Sequence, residues 1–122
     1  MSERSGMETL DGKVVAMFPQ KGCIAVKLFV GTLVPGAKLD FSKPRTSGSE
    51  GDFELQASVV SIEVDRRPVN AIRVVRNKDG SKHAEVIFQG SCEPTQHKDR
   101  RCGIRLSRGP LPPNNASVLQ AN

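Results

Sequence analysis

Few residues in this chain combine type and spacing in a way that suggests chemistry. Gln89-x-x-Cys92-x4-His97-x4-Cys102 has the spacing of a zinc knuckle in which glutamine stands at the first cysteine. A structural zinc ion takes four ligands, so these three supply a weak site unless Cys23 joins them from another strand. The simpler reading, adopted here, makes Cys92 and Cys102 small, partly buried residues at strand ends with His97 solvated between them, and no metal. Cys102 with His97 or His83 is the conceivable nucleophile and base. With two histidines in the chain and no serine in a nucleophile elbow, no catalytic centre is expected. Glu63 and Asp65 lie two apart and so on one strand face, where solvation explains them as well as acid–base work does.

Charge is more informative. Residues 1–65 carry seven Lys/Arg against nine Asp/Glu, a balance of −2, whereas residues 66–108 carry eleven against four, a balance of +7. A basic half favours an anionic partner, nucleic acid first. The nominated phosphate contacts are Arg66, Arg67, Arg73, Arg76, Lys78, Lys98, Arg100, Arg101 and Arg105, with Lys82 and Arg108 completing the basic set. Arg outnumbers Lys eight to three in that set, which suits bidentate recognition of phosphate or carboxylate. Most of these residues flank turns, so a barrel would gather them at one end, where they would touch backbone phosphates. The chain has five Phe and no Trp or Tyr. With the phenylalanines assigned to the core, no stacking platform remains for sequence-specific single-strand binding.

The elements that must position these residues are short. Apolar runs alternate with turn signals every eight to twelve residues or so, the pattern of a sandwich or barrel. Strands are predicted at Lys13 to Phe18, Cys23 to Phe29, Lys38 to Ser42, from Phe53, Ile72 to Val75, His83 to Gln89 and Gly103 to Leu106. Turns fall at Pro19 to Gly22, at Val34-Pro35-Gly36-Ala37 and at Asn77-Lys78-Asp79-Gly80. Phe53, Leu55, Ala57 and Val59 share one phase, whereas Val60, Ile62 and Val64 carry the opposite one. A long strand that slips phase by one residue predicts a β-bulge, which bends a strand around a small barrel. Residues 90–101 are expected to be a loop or a single helical turn, and 43–52 a polar, mobile loop. The expected organisation is a disordered tail over 1–10, an all-β, closed or partly open Greek-key-like barrel of six to seven strands over 11–108, and a disordered tail over 109–122.

From Gly12 to about Leu106 the order of signals resembles the second-domain β-barrel of translational GTPases of the elongation factor Tu type. Gly12-Lys13-Val14-Val15, the turn Pro19-Gln20-Lys21-Gly22, Ile24 to Leu28 and Leu33-Val34-Pro35-Gly36-Ala37-Lys38-Leu39 are similar to that family's opening hairpin and the turn after it. Phe53 to Glu63, then Arg67-Pro68-Val69 and Asn70-Ala71, are similar to its long strand and following turn. Ala37 stands where the family usually has Asp, and no phosphate-binding Gly-Lys-Ser/Thr loop is present, so the resemblance does not imply GTP binding. It implies a barrel that docks on RNA, the ribosome or a neighbouring domain. A lesser similarity to cyclic-di-GMP-binding PilZ barrels rests on the Arg101-x-x-x-Arg105 spacing, which falls at the wrong end of the chain, with that family's Asp/Asn-x-Ser-x-x-Gly motif missing.

The function expected is therefore a non-catalytic module binding RNA or a ribonucleoprotein. The alternative is a protein-interaction module docking a partner on an exposed strand edge or tail. No cofactor is expected. No apolar run reaches the roughly 20 residues that span a bilayer, and MSERSGMETL lacks the apolar core of a secretory signal, so a cytoplasmic location and reduced thiols are expected.

Overall fold

Strict alternation of inward apolar and outward polar residues dominates the chain in a computed structural model that describes residues 9–43 and 52–121. Ten strands form: β1 (Asp11–Phe18), β2 (Cys23–Val30), β3 (Thr32–Leu33), β4 (Lys38–Lys43), β5 (Phe53–Val64), β6 (Arg67–Arg76), β7 (Lys82–Phe88), β8 (Thr95–His97), β9 (Arg101–Leu106) and β10 (Ser117–Gln120). Six of them, in the order β4-β10-β1-β2-β9-β5, close into an antiparallel barrel because β5 pairs back onto β4. The all-β barrel expected from the pattern is thus the fold. The other four strands build a second sheet beside it, in which β6 continues β5 through a tight hairpin, β7 and β8 follow, and β3 borders β6.

The barrel interior is filled by aliphatic side chains, among them Val14, Ile24, Val26, Leu28, Leu39, Ile62, Ile104 and Val118, together with Phe41. Among the described residues no polar or charged residue is buried, so the core has no polar network to satisfy and rests on apolar burial. At one point the chain leaving β2 passes close to the chain entering β1. A Cβ on Gly31 would lie 2.6 Å from Leu10 Cα, and φ there is +95°, so only glycine fits.

The predicted phase slip in β5 is real. Val59 pairs with Leu106 and Ser61 with Arg105, leaving Val60 as the extra, exposed residue, and both Val59 and Ile62 point into the core. The Gly36 and Gly80 turns also form where expected, each with positive φ. Three strands are additional to the prediction. β3 is two residues long, and β8 lies in the stretch read as a loop or helical turn. The third corrects the domain boundaries: residues 109–121 are not a loose tail, since β10 is a barrel stave between β1 and β4. Ala116 and Val118 are fully buried there, which is the physical reason this polar-looking segment is held. The predicted tail over 1–10 and loop over 43–52 fall largely outside the described residues.

Candidate functional site: the outer face of β1, β2 and β9

Outward residues on adjacent strands line up in rows, because cross-strand partners point to the same side of a sheet. Lys13 lies opposite Lys27, and Lys27 opposite Arg101, which sets three cations in one row across β1, β2 and β9. Next along the strands come Ala16, Ala25 and Gly103, followed on β5 by Glu63. The third row is Phe18, Cys23 and Arg105, with Ser61 on β5. A bulge at Val15 brings that side chain alongside Ala16. The middle row is made of small residues, so a groove of about 360 Å³ runs over it, bordered by Phe18 on one side and by Arg101, Asp99 and His97 on the other.

The β5 end of the groove is formed by the β5–β6 hairpin. Asp65 and Arg66 make its two-residue turn, both with positive φ (53° and 65°), the geometry of a type I′ turn, in which asparagine and glycine are usual. Asp65 is therefore a turn residue, and the expected sharing of one strand face with Glu63 does not hold. Its carboxylate lies 3.9 Å from His97 Nε2, an ion pair whenever the imidazole is protonated. The His97 ring meets Phe88 edge-on at 6.1 Å between centroids, and the Arg67 guanidinium sits 3.9 Å over the same Phe88 ring.

The nominated basic residues do not gather at one end. Arg76 and Lys78 stand at the β6–β7 turn, nine residues along β6 from Arg67, a strand distance of about 30 Å. Four of the nine are engaged within the fold. Arg67 covers Phe88, Arg73 pairs with Glu85, Arg100 donates to the Leu28 carbonyl at 3.2 Å, and Arg101 pairs with Asp99 at 3.0 Å. Lys82, from the wider basic set, likewise donates to the Phe29 carbonyl at 2.8 Å. Arg100 and Lys82 are thus ties that hold β2's end. Arg66, Arg76, Lys78, Lys98 and Arg105 have no ion-pair partner among the described residues. The Arg101 hydrogen bond holds the Asp99 carboxyl below its ordinary value, and Asp99 in turn raises the Arg101 guanidinium.

Lys13 and Lys27 were outside the nominated set. Each occupies the polar phase of its strand, so strand alternation points to them, but only the pairing register sets them beside Arg101. Phe18 was assigned to the core and is in fact 45% exposed, with Met17 next to it at 37%. It shares the outward row of Cys23 and Arg105, so the pairing register turns its ring away from the core.

The cysteine and histidine candidates are dispersed. Cys102 points into the core, where burial pushes its thiol up to about 12. Cys92 is exposed in the β7–β8 connection, and His83 bonds Asn77 through Nδ1 at 2.7 Å. Among the described residues no group of three or more His, Cys, Asp or Glu is placed to hold a metal ion. No helix among them is long and apolar enough to cross a membrane.

No protein-family description matches the chain, and no curated protein matches it. Among solved structures, the C-terminal domain of a protein described as a U32 peptidase from Geobacillus thermoleovorans is similar at 17% identity and a TM-score of 0.42, over 90% of this chain and 98% of that one.

Proposed function

We propose that this protein is a non-catalytic, translation-factor-like barrel module that binds RNA or a ribonucleoprotein by phosphate contacts, through the outer face of β1, β2 and β9. The row Lys13, Lys27 and Arg101 carries this reading. Like charges directly opposite each other on a sheet destabilise it, and Asp99, which pairs with Arg101 and lies close enough to Lys27 to be lowered by it, offsets only part of that cost. A row that costs stability is accounted for by a ligand of opposite charge. Arg105 and Arg66 extend the basic surface on either side of the groove, so the contact set moves from the whole of 66–108 to these five residues.

Titration of a short mixed-sequence RNA at several salt concentrations tests this. Five phosphate contacts on a single strand give a slope of log affinity against log salt of about −3.5, and Lys27→Ala flattens it by about 0.7. Lys27→Glu weakens binding at least tenfold with the unfolding midpoint unchanged. A salt-independent affinity, or a Lys27→Glu variant that binds as the parent does, removes the reading.

A protein partner is the second reading, favoured by β8. That strand ends the sheet order, and its outer edge has no pairing strand among the described residues, so a partner segment can add to it. The C-terminal tail no longer supports this alternative, because β10 is committed to the barrel. Salt-insensitive association that is lost on Gln96→Pro, and no RNA binding, would select it. A cyclic-dinucleotide titration separates the PilZ-like alternative from both.

A further inference from the structure

We infer that the groove over Ala16, Ala25 and Gly103 seats an unpaired stretch of an RNA strand, with one base stacked on Phe18 and the phosphates held by Lys27 and Arg101 on one side and Arg105 on the other. This rests on the phosphate-binding reading and adds to it a preference for single strands.

Three observations support it. The first is the width of the floor. Cys23, which faces Arg105, lies four residue steps along β2 from Lys27, so the two cationic borders are about 13 Å apart along the strands. That gap admits one extended chain with its bases lying flat and is too narrow for a duplex to lie in. The second is Phe18, an aromatic ring nearly half exposed on the groove's border. An exposed ring loses the burial that stabilises a core phenylalanine, and a base stacked on it restores that burial. The third is that the floor lies on central strands. β2 pairs with β1 and β9, and β9 with β5, so the backbone beneath Ala25 and Gly103 is spent in the ladders, while β1 pairs with β10 only over Asp11–Lys13. A peptide adding a strand finds no open donors or acceptors over Ala25 and Gly103, whereas a nucleic acid is recognised by ring faces and side-chain charge, here Phe18 and the rim cations Lys27, Arg101 and Arg105. The strand is kept to the rim side because Glu63 and Asp65 line the β5 end.

The floor also offers a clean way to close the site. A Cβ on Gly103 would meet nothing nearer than the Glu63 and Ile24 carbonyl oxygens at 3.9 Å, and its φ is not in the left-handed region. Gly103→Val therefore fits the strand, suits its propensity and fills the groove from below.

The test compares an eight-nucleotide RNA carrying a single 2-aminopurine with a duplex of equal phosphate number at one salt concentration. A purely electrostatic face binds the duplex at least as well, because its charge density is higher. The groove reverses that order, with the single strand bound about tenfold more tightly and the 2-aminopurine fluorescence quenched. Phe18→Leu keeps an apolar side chain and loses the ring. It and Gly103→Val each weaken single-strand binding by about tenfold, abolish the quenching and leave duplex binding and thermal unfolding unchanged. If both variants bind the single strand as the parent does while Lys27→Glu does not, the stacking seat is overturned and the phosphate face stands. If Lys27→Glu is also without effect, both are overturned.

Discussion

At the scale of single residues, the buried thiol of Cys102 has a consequence that reaches the whole fold's stability. Burial raises its value from 9.0 to about 12, so between those limits the unfolded chain gives up a proton that the folded chain keeps. Raising pH through that window favours unfolding. The contribution is fully present below pH 9 and is lost above it at up to about 1.4 kcal/mol per pH unit. The chain has no Tyr, so no phenol titrates in the same window. Urea midpoints measured from pH 8 to 11 should fall steeply for the parent, and the slope should flatten in Cys102→Ala. Equal slopes would place the thiol in contact with water. The same burial removes Cys102 from any metal set, despite the knuckle-like spacing of Cys92, His97 and Cys102.

At the scale of elements, β10 decides whether the barrel closes. It is four residues long and follows a stretch rich in proline and asparagine, yet it supplies Ala116 and Val118 to the core and pairs with both β1 and β4. Side-chain burial at those two positions contributes about 3 kcal/mol, and its loss would also bare two strand edges. A chain ending at Arg108 should therefore show a lower urea midpoint and an exposed β4 edge that promotes association, read by light scattering. An unchanged midpoint would return the segment to the status of a tail. The bulge in β5 was legible beforehand, because an apolar strand that changes phase has few ways to keep both halves buried. β10 was not, because a four-residue strand has too few alternations to stand out, and its inward residues are small.

At the scale of the molecule, the closed barrel and the sheet beside it differ in how well they are held. The barrel staves each have two neighbours, whereas β8 is three residues long, largely exposed and paired on one side. Hydrogen exchange should protect the amides of β1, β2, β5 and β9 up to the global unfolding free energy and release β8 first, with β7 following through lower-energy openings. Release of β1 amides together with β8 would show that the barrel does not open as a separate unit. His97 ties β8 to the β5–β6 turn through Asp65 and packs on Phe88 at the end of β7, so this least-protected strand borders the groove.

The sequence by itself determined the strand class, most strand positions, the bulge and the excess of positive charge, since all of these are read from neighbours along the chain. Alternation reports which face a residue takes, and turn chemistry reports where a strand ends. Only the tertiary structure decided which cations share a surface. Lys13, Lys27 and Arg101 are separated by 88 positions from first to last and become neighbours through two antiparallel registers, whereas Arg67 and Arg76, nine apart, are carried to opposite ends of one strand. It also decided that Phe18 faces outward and Cys102 inward, because burial depends on what stands across from a side chain, and that is set by pairing between distant segments rather than by local pattern.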